Sequence, residues 1–104
     1  MNSFEIIWTK SALNDLDIII DFISQTSQRT AESVASKILK HTSQLSEFPK
    51  SGQVEPTLNN LKFEYRYIIE GHSKIIYRLD KSKIFIERVF DTRQNPDKLK
   101  ILNS

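Results

Sequence analysis

The sequence of 104 residues predicts an α+β fold, in which an N-terminal strand and a two-helix hairpin pack on a mainly antiparallel sheet in the order β-α-α-β-β-β. Apolar residues recur at helical spacing through the first half of the chain. Residues 61–99 then hold three strand-like runs separated by short turn signals. The length suits one domain with a single modest core, so we assign residues 1–104 to one domain.

The composition is that of an ordinary globular protein, with 38% hydrophobic and 27% charged residues. We find neither a run of about 20 apolar residues that would cross a bilayer nor a signal-peptide pattern, which favours a cytoplasmic protein without membrane contact. The absence of cysteine excludes disulfides and thiolate ligands. Since no metal-ligand cluster, phosphate-binding glycine loop or nucleotide fingerprint is present, we expect no cofactor and no metal.

The charge is divided unevenly along the chain. Residues 1–52 carry five Lys or Arg against six Asp or Glu, a net −1, whereas residues 53–104 carry ten against seven, a net +3. The basic excess therefore lies in the half that forms the sheet, as expected for a surface that meets phosphates or an acidic partner. The alternative is that so small an excess is ordinary variation.

The first half predicts one strand and one helix. Phe4–Trp8 is a short run of β-branched and aromatic residues, typical of a strand. Thr9 or Ser11 can then cap a helix. The apolar positions of that helix share one face and are Ala12, Leu16, Ile19, Ile20 and Ile23.

A second helix is predicted from about Thr30 to Glu47, after a polar break at Gln25–Arg29, with Ser27 or Thr30 as its cap. Its apolar positions again form one stripe and are Ala31, Val34, Ala35, Ile38, Thr42 and Leu45. Phe48-Pro49 ends this helix because proline disfavours helical geometry in the preceding residue. Residues 49–60 are predicted to be a loop.

The register of the sheet follows from its two turns. A two-residue turn at Lys81-Ser82 sets three core pairs, namely Leu79 with Ile84, Tyr77 with Ile86 and Ile75 with Arg88, and three outer pairs, namely Arg78 with Phe85, Ile76 with Glu87 and Lys74 with Val89. A three-residue loop at Gly71-His72-Ser73 sets Ile69 opposite Ile75, Tyr67 opposite Tyr77 and Tyr65 opposite Leu79.

These registers divide the sheet into two faces. The predicted core face, packed on the helices, consists of Phe63, Tyr65, Tyr67, Ile69, Ile75, Tyr77, Leu79, Ile84 and Ile86. The predicted opposite face places Glu64, Arg66, Lys74, Arg78 and Glu87 around Ile68, Ile76, Phe85 and Val89. Because this second face mixes apolar and cationic side chains, we expect another molecule to cover it. The alternative is a solvated sheet on which Arg66 and Arg78 pair with Glu64 and Glu87.

Several segments together resemble the RelE/ParE superfamily of bacterial toxins from type II toxin–antitoxin systems, the plasmid stabilization proteins. The N-terminal segments are Trp8 with Ala12 and the Asp15-Leu16 pair, followed by Leu45, Pro49 and Gly52 after the second helix. The most specific segments are EYRYII around Arg66, KIIYRL at Lys74–Leu79, IFIERVFDTR at Ile84–Arg93, and Asn95-Pro96. The resemblance covers nearly the whole chain.

The resemblance implies a helical hairpin packed on an antiparallel sheet, and a cognate antitoxin that wraps a helix and an extended segment over the toxin. A toxin–antitoxin heterotetramer is a further expectation. The surface for target and antitoxin is then expected at Arg66, Lys74, Arg78, Glu87 and Arg93. Apolar anchors would hold a helix there, and arginines would bind acidic residues.

The family divides by mechanism into RelE-like enzymes, which cut messenger RNA on the ribosome, and ParE-like proteins, which inhibit DNA gyrase. Arg66, Lys74 and Arg93 stand near the cationic positions of the metal-independent RelE-like nucleases. Those enzymes also use an acid or base after the last strand. Residues 94–99, which follow Arg93, contain neither Tyr nor His. The resemblance therefore favours a ParE-like gyrase inhibitor, and the alternatives are a RelE-like endoribonuclease or an inactive relative that binds antitoxin.

Overall fold

The structure, a computed structural model, describes residues 3–58 and 63–93. Its helices and strands are β1 (Glu5–Trp8), α1 (Lys10–Ser24), α2 (Gln28–Ser43), β2 (Gln53–Val54), β3 (Tyr65–Glu70), β4 (Ser73–Asp80) and β5 (Lys83–Asp91). The five strands form one sheet in the order β1-β5-β4-β3-β2, with β1 parallel to β5 and the other pairs antiparallel. The predicted α+β fold is confirmed, and the short edge strand β2 lies within the segment predicted to be a loop.

Both helices begin at predicted caps. The Thr9 hydroxyl accepts a hydrogen bond from the Ala12 amide at 3.1 Å and donates to the Ile86 carbonyl at 2.9 Å, so it fastens the start of α1 to β5. The Ser27 hydroxyl accepts from the Thr30 amide at 3.1 Å and thereby caps α2. α2 ends at Ser43, earlier than the predicted Glu47, and a single 3₁₀ turn follows it.

The predicted stripes of the two helices pack on one face of the sheet. This main core contains Ala12, Leu16, Ile38 and Leu45 from the helical side and Ile68, Ile75, Tyr77, Ile84, Ile86 and Val89 from the sheet. Among the described residues, no helix is both long and apolar enough to cross a bilayer. Asn59-Asn60, Leu61 and the residues after Arg93, including Asn95-Pro96, lie outside the described residues.

The predicted register between β3 and β4 is wrong by one residue. The turn has two residues, Gly71 and His72, and Glu70 pairs with Ser73. Gly71 has φ +60°, a conformation that glycine adopts without steric cost. Consequently Tyr65, Tyr67 and Ile69 pair with Arg78, Ile76 and Lys74 rather than with Leu79, Tyr77 and Ile75.

The register between β4 and β5 is right near the turn and wrong beyond it. Leu79 pairs with Ile84, Arg78 with Phe85 and Tyr77 with Ile86, as predicted. A β-bulge follows, at which β5 has one extra residue. The pairs beyond it are Ile76 with Arg88, Ile75 with Val89 and Lys74 with Phe90, instead of Glu87, Arg88 and Val89.

These shifts exchange side chains between the two faces. Ile68 and Val89, predicted to face outward, lie in the main core, whereas Phe63, Tyr65 and Tyr67 belong to a second cluster on the opposite side. We call that opposite side the outer face, formed by Tyr65, Tyr67, Ile69, Lys74, Ile76, Arg78, Phe85 and Glu87. The second cluster has Leu58, Tyr65, Ile76 and Phe90 as its buried members. The chain therefore covers part of this face with its own segment after β2.

Candidate functional site

The five residues predicted to bind target and antitoxin do not all lie together. Lys74, Arg78 and Glu87 lie on the outer face. Arg66 pairs with Tyr77 in the sheet and therefore starts from the side that faces the helices. Arg93 follows the end of β5. The structure thus places three of the five on one face, where Arg78 contacts Glu87, and places the other two away from that face.

Arg78 contacts two aromatic rings and one carboxylate on the outer face. Its guanidinium lies over the rings of Phe63 and Phe85, at 4.4 and 4.0 Å from their centroids. Its Nε also lies 3.4 Å from the Glu87 carboxylate, so the expected ion pair between Arg78 and Glu87 is present. Burial raises the pKa of the neighbouring Tyr65, and the charge of Glu87 raises it further. The Tyr65 hydroxyl is therefore neutral at pH 7 and unsuited to act as a base.

Lys74 is compensated by a buried acidic residue. Its ammonium group contacts the carboxylate of Glu55, whose side chain is only 1% exposed, and lies 4.3 Å from the centroid of the Tyr67 ring. Glu55 comes directly after β2 and donates its backbone amide to the Tyr65 carbonyl at 2.8 Å. Removal of the Lys74 ammonium group would leave the buried Glu55 carboxylate without this cation, so the pair links the segment after β2 to β4.

Arg66 acts as a clamp between β3 and the segment before β2. Its guanidinium pairs with Glu64 and donates to the Gly52 carbonyl at 2.7 Å. The buried Tyr77 hydroxyl completes the clamp, because it donates to the Pro49 carbonyl at 2.8 Å and accepts from the Gly52 amide at 3.0 Å. Burial raises the pKa of Tyr77, so this hydroxyl keeps its proton.

The backbone at Gly52 leaves no space for a side chain. A Cβ placed there would lie 2.6 Å from the Tyr67 carbonyl oxygen and 2.6 Å from the Tyr77 hydroxyl. Glycine is therefore required at position 52 because β3 and the Tyr77 side chain approach its backbone closely, and not because of an unusual backbone angle.

Arg93 is the most exposed of the five predicted residues, with 62% of its side chain accessible. It pairs with Asp91 at 2.7 Å and donates its own backbone amide to the same carboxylate at 2.9 Å. These hydrogen bonds lower the pKa of Asp91 from 3.8 to about 2. The guanidinium stays accessible to a partner while Asp91 fixes its orientation.

The three cations suggested for RNA cleavage do not converge on one place. Arg66 lies opposite Tyr77, which is three residues along β4 from Lys74, so the two start about 10 Å apart on opposite faces. Asp91, which holds Arg93, pairs with Ser73 and so shares the helix-facing side of the sheet. A phosphate undergoing in-line attack needs its cations together. Within residues 3–58 and 63–93 we also find no group of His, Cys, Asp or Glu that could hold a metal ion.

Sequence reasoning missed a second arginine clamp, between α1 and β5. The carboxylate of Asp15 accepts hydrogen bonds from Arg88 at 2.7 and 3.0 Å and from the Val89 amide at 2.9 Å. Both side chains are largely buried, at 12% and 15% exposure. Asp15 directly precedes Leu16 of the apolar stripe, and no local signal identifies a partner 73 residues away.

The comparisons with known proteins agree with this architecture. The family model described as ParE toxin of type II toxin-antitoxin system, parDE, matches residues 6–96. A solved structure, described as the chromosomal ParDE TA system from P. aeruginosa, is similar with a TM-score of 0.68 and 18% identity. The similarity covers 88% of this chain and 98% of that chain, and at this identity it shows the fold alone. No curated protein matches the sequence.

Proposed function

Because this chain belongs to the ParE toxin family of type II toxin–antitoxin systems, we propose that it arrests growth by inhibiting DNA gyrase and that a cognate antitoxin neutralises it. The family match over residues 6–96 supports a ParE-like protein. DNA gyrase as the target would place the protein in the cytoplasm, as the sequence predicts.

One observation favours gyrase inhibition over RNA cleavage. Lys74 lies on the opposite face of the sheet from Arg66 and from Asp91, which holds Arg93. Each of the three cations that a RelE-like nuclease would use also pairs with an acidic residue of the chain itself: Arg66 with Glu64, Lys74 with Glu55, and Arg93 with Asp91. Cations that do not converge on one point give little stabilisation to a pentavalent phosphate in the transition state of RNA cleavage. An inhibitor that acts by binding needs no such convergence.

The distribution of exposed apolar side chains supports an antitoxin partner. The helical hairpin leaves four large apolar residues 48–68% exposed, namely Leu13, Ile18, Phe22 and Leu39. Large exposed apolar areas mark interaction sites in soluble proteins. An antitoxin helix laid along α1 would bury Ile18 and Phe22, which lie one turn apart on the same side of the helix, and a toxin–antitoxin heterotetramer is the proposed assembly.

We keep Arg66, Lys74, Arg78, Glu87 and Arg93 as the proposed contacts for target and antitoxin. Their exposure ranks them, since Arg93 is 62% exposed whereas the side chains of Arg66, Arg78 and Glu87 are 16–18% exposed. An incoming partner can reach Arg93 without opening the fold. Contacts with the outer face would require the partner to compete with existing ion pairs.

The test compares two activities of the purified protein. We expect it to inhibit gyrase in a supercoiling assay and to leave transcripts on translating ribosomes uncut. Arg93→Gln should weaken the inhibition, because it removes an exposed charge without touching the core. Lys83→Gln, at an exposed position at the start of β5, is the matched control and should leave inhibition unchanged.

Other outcomes would select the alternatives. Transcript cleavage with unaffected gyrase would identify a RelE-like endoribonuclease. If neither activity occurs and overexpression leaves growth unchanged, the protein is an inactive relative that binds antitoxin. Co-expression of the small protein encoded beside the toxin should restore growth, and failure to do so would contradict neutralisation.

A further inference from the structure

Two adjoining concavities form a groove between α2 and the end of the sheet. The first, which we call the α2 groove, has a volume of about 290 Å³ and is lined by Lys37, Lys40, His41, Gln44 and Glu70. The second, which we call the end cleft, has a volume of about 170 Å³ and lies between the helical hairpin and the β3–β4 turn. Lys37 and Glu70 line both, so the two concavities are neighbours.

The end cleft has an apolar wall and a polar rim. Ile19 and Ile23 of α1 and Val34 of α2 supply the apolar wall, and each is only half-buried. The cleft is smaller than the roughly 300–1,000 Å³ of pockets that hold cofactors or drug-sized ligands. Its size and lining suit a single apolar side chain from another molecule.

The lining of the groove has a net positive charge, because Lys37, Lys40 and Arg93 outnumber the acidic Glu70 and Asp91. Glu70 lies 3.1 Å from His41, and Asp91 on the rim of the end cleft is held by Arg93. Lys37 and Lys40 form no ion pair with any residue in the ranges 3–58 and 63–93. A partner segment that places carboxylates along α2 would therefore gain favourable contacts at both lysines.

Helix capping does not account for both lysines. Lys40 lies in the last turn of α2, where a cation interacts favourably with the negative end of the helix dipole. Lys37 lies before that turn, where the dipole gives little stabilisation. It stands at the junction of the α2 groove and the end cleft.

We propose that this groove binds an acidic segment of the antitoxin, with one apolar side chain in the end cleft and neighbouring carboxylates against Lys37 and Lys40. This inference rests on the proposed function, because it assigns the segment to the antitoxin. The contact would lie on the flank of α2, away from the outer face.

The first measurement uses the full-length ¹⁵N-labelled protein and a synthetic peptide with two glutamates on each side of one leucine. We expect amide shifts concentrated at Ile23, Val34 and Lys37. Peptides with leucine replaced by serine, or glutamates replaced by glutamine, should bind about tenfold more weakly. Shifts confined to other surfaces, or equal binding by all three peptides, would overturn the proposal.

The second measurement uses the antitoxin encoded beside the toxin. Lys37→Glu should weaken its binding by about tenfold or more, whereas Lys83→Glu, the same charge change at an exposed site on β5, should not. Circular dichroism checks that both variants fold, and gyrase inhibition by Lys37→Glu should be unchanged. If the native protein binds no antitoxin, the proposed function fails. If it binds and Lys37→Glu binds equally well, the groove assignment alone fails.

Discussion

Tyr77→Phe tests the clamp that holds the segment before β2. The substitution removes one hydroxyl from a side chain with 0% exposure and leaves the ring in the main core. It deprives the Gly52 amide of its acceptor and the Pro49 carbonyl of its donor. Gly52 is buried and the Pro49 carbonyl is at a half-buried residue, so water can reach only the second group readily.

The expected cost follows from this difference in access. Leaving one buried amide without an acceptor costs roughly 1–3 kcal/mol, and a rehydrated carbonyl adds little. We therefore expect the free energy of unfolding to fall by about 2 kcal/mol. For a domain of this size, that corresponds to a melting temperature lowered by roughly 8–16 °C.

Urea unfolding followed by circular dichroism measures the effect, with an unchanged m-value as evidence that the unfolded state is unaffected. The matched control is Tyr67→Phe, whose hydroxyl donates to Gln53 at an exposed site. Water can replace that hydrogen bond, so the control should lose less than about 0.5 kcal/mol. Equal losses in the two variants would refute the account of the clamp.

Two further predictions concern the other ion pairs. Asp15→Ala leaves the largely buried guanidinium of Arg88 without its carboxylate, so it should lower the free energy of unfolding by about 3 kcal/mol, while Asp17→Ala at an exposed site of the same helix should change it by less than about 0.5 kcal/mol. Arg93→Gln should return the pKa of Asp91 from about 2 towards 3.8, measured by the carboxyl ¹³C shift. Because the folded pKa is the lower one, the stabilisation is complete above pH 3.8 and is lost as the pH falls through about 2. An Asp91 pKa near 3.8 in the native protein would contradict this pair.

The helices and the turn at Lys81-Ser82 could be predicted because their signals are local. The Thr9 and Ser27 hydroxyls cap the helices by accepting hydrogen bonds from amides three residues further along the chain. The apolar residues of each helix recur at the helical period, which can be read from a short stretch of sequence. The turn before β4 could not be predicted in the same way. β3 has apolar residues on both faces, with Ile68 on one and Tyr67 on the other, so either register buries hydrophobic side chains.

Some of the ion pairs around the proposed site residues could be predicted from the sequence. The sequence predicted the acidic partners of two arginines: Arg78 pairs with Glu87, and Arg66 pairs with Glu64. The pairing of Lys74 with Glu55 could not be predicted, because it depends on how the segment after β2 folds back over the outer face.

The β-bulge in β5 likewise has no signal in its own sequence. The Thr9 hydroxyl lies within hydrogen-bonding distance of the Ile86 and Glu87 carbonyls, and the carboxylate of Asp15 accepts the Val89 amide. Both residues belong to the N-terminal quarter of the chain. Contacts between such distant positions are set by the tertiary fold.

The parallel pairing of β1 with β5 also has a consequence for how the protein is made. Glu5 pairs with Lys83 and Trp8 with Ile86, so β1 has no neighbour in the sheet until β5 has been synthesised. Contacts of such long sequence separation slow folding, since a large loop must close first. A nascent chain that ends before β5 lacks a central strand and leaves the apolar face of α1 uncovered. Folding of this domain therefore finishes only after β5 has been translated, which delays the appearance of the folded form.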